Sequence, residues 1–438
     1  MAKTPCDVLL THAWILTLDD QGTVIRDGAV AVRNGSIDAV GPSDDLEMRF
    51  DPVRLLDASG CVVLPGLVNA HTHAAMTLFR GLADDLPLMD WLQKHIFPAE
   101  SRLTESWVYW GTLLGCAEMI LSGTTAFCDM YLFEHKVAQA AKEAGMRALV
   151  GEVLYDFPSP HYGPVDHGLQ FTEDLILQWK DDPLIRVAVE PHAPYTCSPE
   201  LYRRCFALAR KYDVPMVTHL SENSAEVREV QGRYARRPVA HLAALGVLHD
   251  RLIADHCVDL DERDMELLAE HRVIVAHNPE SNLKLASGFA PVPALLRRGV
   301  CVALGTDGCA SNNNLDLFGE MGTCAKIHKA AAMDPTVLPA DTVLRMAVRH
   351  GAKALGLEDV VGQIRPGFAA DLIVVDFSAP HLTPVYDPVS HLVYAAKGSD
   401  VRHSLIGGRL VMEDRRLTTI DLERVMAEVR AIARTLRS

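Results

Sequence analysis

CVVLPGLVNAHTH, residues Cys61 to His73, runs an apolar, β-branched stretch into two histidines one residue apart, His71 and His73. Side chains at i and i+2 of a strand point to the same face, so the two imidazoles share one side of the strand's end. Seven more runs of this kind follow: TTAFCDMY, RALVGEVLYD, IRVAVEPHAP, PMVTHLSE, LIADHCVDL, VIVAHNPESN and CVALGTDG. Each precedes a stretch of helical pattern. Continuous apolar strands alternating with helices mark a parallel sheet covered on both faces, and eight such units fit a closed (β/α)8 TIM-type barrel. The other candidate, an open doubly wound sheet, lacks support because no GxGxxG follows the first run.

The ends of the chain read differently. VLLTHAWILTL and GAVAVRNGSIDAVG are short strands, with Asn34-Gly35 as a hairpin turn. DLIVVDF and HSLIGGRLVMED behave alike near the C-terminus, with Gly407-Gly408 as a tight turn. We therefore expect residues 1–60 and 364–420 to build one composite β-sandwich, residues 61–363 to form the catalytic barrel, and 421–438 to form an amphipathic C-terminal helix. The segment Trp107 to Leu121 is apolar on more than one face and reads as a core helix.

Bulk properties narrow the function. The chain has 438 residues and a formal net charge of −15, which disfavours nucleic acid as a partner. The opening MAKTPCDVLLTHAWIL has no signal-peptide pattern and no window approaches the length of a membrane span. Ten cysteines are scattered without a CxxC pair, which suits reduced thiols in a cytoplasmic protein and excludes the HxE…PCxxC zinc-deaminase pattern.

In a barrel of this type the reactive face lies at the C-terminal ends of the strands. There the runs place His71 and His73, then His192, His219 with Glu222, His256, His277 and Asp307. Imidazole nitrogen and carboxylate oxygen suit a zinc-like ion with about four ligands, one position being left for water in a catalytic site.

The motifs PGLVNAHTH, HLSE, HNPESNLKLASG, LGTDG and GQIRPGFAADLIVVD resemble those of the amidohydrolase superfamily, and within it the 5-methylthioadenosine/S-adenosylhomocysteine deaminases, along essentially the whole chain. The resemblance implies one divalent metal, best zinc, held by His71, His73, His219 and Asp307. His256 would border the metal and hold its water, and Asp307 would accept the water's proton. Glu222 would protonate the ring nitrogen of an aminopurine as water adds to the neighbouring carbon. Glu100 would take the ribose hydroxyls, His192 would contact the purine, and Trp91 would stand near the 5′ substituent. Many relatives carry a lysine ending the fourth strand and a second metal; here EPHAPY has His192 instead, which argues for a single ion. His277 is expected to be a structural rim residue, and Ser281 and Asn282 to order the loop after the seventh strand.

The implied activity is hydrolytic deamination of an adenosine-type nucleoside, with C–N cleavage in a cyclic amidine. 5′-Methylthioadenosine, 5′-deoxyadenosine or adenosine is favoured over S-adenosylhomocysteine, because the third-strand rim reads GEVLYDFPSPHYG without an arginine, and Arg147 precedes the strand. The alternatives are a hydrolase of another heterocycle, such as guanine or a chlorotriazine, and an inactive barrel serving as a binding subunit. A small-molecule substrate, no nucleic-acid or membrane partner, and a possible homo-oligomer complete the expectations.

Overall fold

The computed structural model describes residues 2–86 and 88–437. Each of the eight apolar runs supplies a barrel strand: β1 (Leu67–Thr72), β2 (Thr124–Tyr131), β3 (Arg147–Leu154), β4 (Ile185–Val187, resuming at Glu190–Pro191), β5 (Met216–Leu220), β6 (Leu252–His256), β7 (Ile274–His277) and β8 (Cys301–Leu304). Nearly every residue in them is buried, as strands covered on both faces must be. Parallel pairing joins β1 to β4 into one arc and β5 to β8 into another.

The arcs meet at two seams. Val189 bridges Met216 between β4 and β5. Beyond β8, the amides of Thr306 and Asp307 both donate to the His71 carbonyl at the end of β1, at 3.2 and 3.0 Å. Gly305 allows that approach: a Cβ there would lie 2.8 Å from the His71 amide nitrogen and 2.4 Å from Asn278 Oδ1.

The opening stretch divides where it read as continuous. Cys61–Pro65 leaves the barrel and pairs antiparallel with Leu372–Asp376, and Gly66 separates it from β1. It belongs to a nine-stranded sheet that also takes Thr4–Leu16, Val24–Arg33, Ser36–Pro42 and Phe50–Asp57 from the N-terminal side, and Val401–Ile406, Arg409–Glu413 and Arg416–Leu417 from the C-terminal side. Asn34 and Gly35 have φ of 51° and 80°, the left-handed pair that a two-residue hairpin needs. Leu10, Ile15, Val30, Val63, Leu372 and Leu405 give this sheet a core of its own. The fold is therefore the expected barrel with a small β domain contributed by both ends of the chain.

At the foot of β3, the Arg147 guanidinium forms a two-pronged ion pair with Asp371 (2.7 and 3.0 Å), and both side chains are buried. The pair fastens barrel to sheet and holds Arg147 away from the strand's C-terminal end. Helix α1 (Glu105–Leu121) buries Met119 and Ile120, and α5 (Leu422–Arg437) packs along it through Val425 and Ile432. All ten cysteines are thiols. Among the described residues no helix is long and apolar enough to cross a membrane.

Candidate metal centre and substrate cleft

The C-terminal ends of the strands open into a cleft. His73, Trp91, Glu100, His192, His219, Glu222, His256 and Asp307 line it, and His71 lies fully buried beneath. The structure thus brings together the metal-ligand and substrate-contact candidates read from the sequence, with His277 left outside the cleft.

Backbone carbonyls set the tautomers of two histidines. His219 Nδ1 lies 2.9 Å from the His192 carbonyl, and His73 Nδ1 faces the Met130 carbonyl. A carbonyl only accepts, so each Nδ1 carries a proton and each Nε2 is the nitrogen left to face the site. Both ring nitrogens of His71 are buried without a hydrogen-bond partner, although Asp255 Oδ2 approaches its Nδ1 to 3.1 Å. Asp307 Oδ1 stands 3.2 Å from His73 Nε2 and 3.7 Å from His71 Nε2. Donor atoms of His71, His73 and His219 lie within 4.8 Å of one another, as do those of His71, His256 and Asp307. Converging buried lone pairs and an orphaned imidazole are what a borderline-soft divalent cation requires.

The electrostatics agree. Burial works against charge on both His73 and Asp307, but their mutual attraction outweighs it. His73 is brought to about 9 and Asp307 is held well below the usual carboxylate range. A positive charge between them is strongly favoured. Burial, then His192, His71, His73 and His256, keep His219 well below the ordinary histidine value and so uncharged.

Asp307 is fixed by Ser281 Oγ donating to Oδ2 at 2.6 Å and by the Gly308 amide donating to Oδ1 at 2.7 Å. His256 is held through Nδ1 by Asn282 Oδ1 at 2.9 Å, with Asn278 Nδ2 at 3.3 Å. His256 and Asp307 have φ of 70° and 63°. Such left-handed backbone costs a non-glycine residue about 1–3 kcal/mol and persists where surrounding bonds impose it. Here it turns both side chains into the cleft.

Glu222 does not cap the following helix. Asn223 takes that role in α2 (Ser224–Tyr234), accepting from the amides of Ala225 and Glu226. Glu226 in turn accepts from the amides of Ser221 and Glu222. The Glu222 carboxyl is left facing the cleft, and burial raises it above the ordinary carboxyl value, the Asp307 charge adding to the effect and His256 opposing it. His192 Nδ1 lies 2.8 Å from Thr196 Oγ1, whose own proton goes to the Ala193 carbonyl. Its Nε2 is therefore the acceptor. Burial, then His73 and His71, bring it to about 3, so it stays neutral.

Several contributors were not assigned from the sequence. Asp255 lies in the middle of LIADH and was passed over as part of a strand; a carboxylate inside an apolar run, with the parity opposite to His256, is the available signal. Tyr131, Tyr155 and Met76 line the cleft but look like ordinary core residues in sequence. Ser281 and Asn282 order more than their loop, since they grip Asp307 and His256. His277 is not at the rim: it is 1% exposed and does not line the cleft.

Residues 62–411 match the model of the Amidohydrolase family. This chain belongs to that family. As an amidohydrolase it is 68% identical, over the full length of both chains, to the 5-methylthioadenosine/S-adenosylhomocysteine deaminase of Syntrophobacter fumaroxidans. It is 45% identical to the 5′-deoxyadenosine deaminase of Methanosarcina mazei, covering 98% of each chain. A zinc-bound adenosine deaminase from Xanthomonas campestris superposes with a TM-score of 0.98 at 44% identity, with all of both chains covered.

Replacing His219 by alanine is expected to leave the amidohydrolase folded while removing the divalent ion bound in the cleft. Metal analysis of gently purified protein, with circular dichroism as the fold control, measures this; metal content in H219A equal to that of wild type would show that His219 is no ligand.

Proposed function

We infer that the protein is a metal-dependent deaminase of adenosine-type nucleosides, releasing ammonia and the corresponding inosine-type product. The observation that carries this reading is the facing arrangement of a cation-selective donor cluster and a protonatable carboxyl, Glu222, across one cleft. Likeness to proteins named as deaminases of methylthioadenosine, deoxyadenosine and adenosine supports it.

His71, His73, His219 and Asp307 would hold one divalent ion, zinc by donor type and by the zinc-bound neighbour. When bound, such an ion lowers the pKa of a water from about 16 to about 7 and so supplies a nucleophile at neutral pH. With the ion in place, His256, pinned by Asn282, would orient that water, and Asp307 would accept its proton. Glu222, whose burial favours the protonated carboxyl, donates to the ring nitrogen adjoining the carbon under attack, then helps carry a proton to the departing ammonia. The bare Nε2 of His192 accepts from the purine, and Glu100 accepts from the ribose hydroxyls.

The 5′ end of the substrate meets an apolar wall of Trp91, Leu92, Phe97, Val153, Tyr155 and Leu285. Among the described residues no lysine or arginine lines the cleft. An amino-acid carboxylate would be desolvated there without a cation, which is costly. A methylthio or unsubstituted 5′ carbon fits better. Asp156 at the same rim accepts from the Ser198 amide and offers a carboxylate nothing.

Loss of the adenine absorbance band across a panel of nucleosides tests the reading. Methylthioadenosine or deoxyadenosine is expected to exceed S-adenosylhomocysteine in kcat/KM; turnover confined to guanine or triazines would overturn the assignment.

E222Q is expected to lower kcat by about 10²–10⁴-fold with metal content unchanged, since it removes the proton donor and leaves the ligands intact. Steady-state rates on metal-loaded protein measure this.

Glu100 is raised to about 7, by burial first, with Tyr131 and His73 pulling the other way. It is ionised above that value and is then the better acceptor, so kcat/KM for nucleosides should fall as pH drops through about 7. The pH profiles of wild type and E100Q measure it; an unchanged acid limb in E100Q would assign that limb elsewhere.

A further inference from the structure

A second cluster of metal-ligating side chains lies behind the cleft. His277 ends β7, and Cys324 and His328 stand four residues apart on one face of α4 (Leu317–Ala332). All three are buried, their donor atoms lie within 4.8 Å of one another, and none lines the substrate cleft. We propose that His277, Cys324 and His328 form a separate structural site for a zinc-class divalent cation, which staples the end of β7 to α4.

The spacing of the donor atoms supports it. The Nε2 atoms of His277 and His328 face each other at 3.2 Å. Two imidazole nitrogens bound at about 2.0–2.1 Å to one tetrahedral ion are separated by roughly 3.3 Å.

Burial pushes the Cys324 thiol up. An entering cation forms the metal–sulfur bond as the S–H bond breaks, and the proton passes to solvent; no electron is transferred. Nitrogen, nitrogen and thiolate donors suit zinc or cobalt and disfavour magnesium or calcium.

The position gives the staple a consequence. His277 is followed at once by Asn278 and by α3 (Pro279–Lys284), the segment whose Ser281 and Asn282 hold Asp307 and His256. Anchoring β7 to α4 steadies that segment from behind.

Cobalt distinguishes the two sites, because only this one has a thiol among its donors. Wild-type protein produced with cobalt as the sole added divalent metal is expected to bind a second ion per chain beyond the one in the cleft. It should also show the near-ultraviolet absorption of a cobalt–thiolate bond. C324S should lose that absorption and one ion; H219A should keep the absorption. C324A, which removes only the sulfur, replaces C324S if the serine variant fails to fold. A single ion per chain in wild type without the thiolate band, or a band that survives removal of the Cys324 sulfur, would overturn the site.

Discussion

One carbonyl oxygen holds the architecture to its chemistry. The His71 C=O accepts from the amides of Thr306 and Asp307, and these bonds close the barrel between its last and first strands. They also deliver the Asp307 carboxylate to the imidazoles of His71 and His73. Asn69 reinforces the same seam, donating to Thr306 Oγ1 and accepting from the Thr306 amide. Barrel closure and ligand convergence are therefore one event, and a shift at this seam disturbs both.

A second theme is the use of acceptor-only partners. Carbonyls behind His73 and His219 leave each neutral ring one tautomer, and a threonine whose proton is already committed does so for His192. The rings are aimed by backbone, which does not swing as side chains do. Where side chains do the aiming, as for His256 and Asp307, Asn282 and Ser281 come from a single short helix.

Much of this could be read from the residues. The eight apolar runs announced the barrel because parallel strands buried on both faces have no polar alternation to confuse the pattern. The site residues were legible because polar groups recur where those runs stop. The partition of CVVLPGLVNAHTH was not: Cys61–Pro65 and β1 are equally apolar, and only long-range pairing with Leu372–Asp376 tells them apart. Asp255, Ser281 and Asn282 escaped for the same kind of reason. Their importance lies in which side chain they touch across the fold, and spacing along the chain carries no such information. Glu222 faces the cleft because Asn223, a better capping residue, stands next to it and takes the helix end.

The nine-stranded sheet has a consequence for how the chain comes to be folded. Cys61–Pro65 finds its partner in Leu372–Asp376, about three hundred residues later. During synthesis from the N-terminus, that apolar strand emerges early and keeps an unpaired edge until almost the whole polypeptide has left the ribosome. Its backbone donors and acceptors are meanwhile open to any extended neighbour. Completion of the molecule is thus gated by its last fifth, and a chain released before that point lacks the piece that shields its beginning.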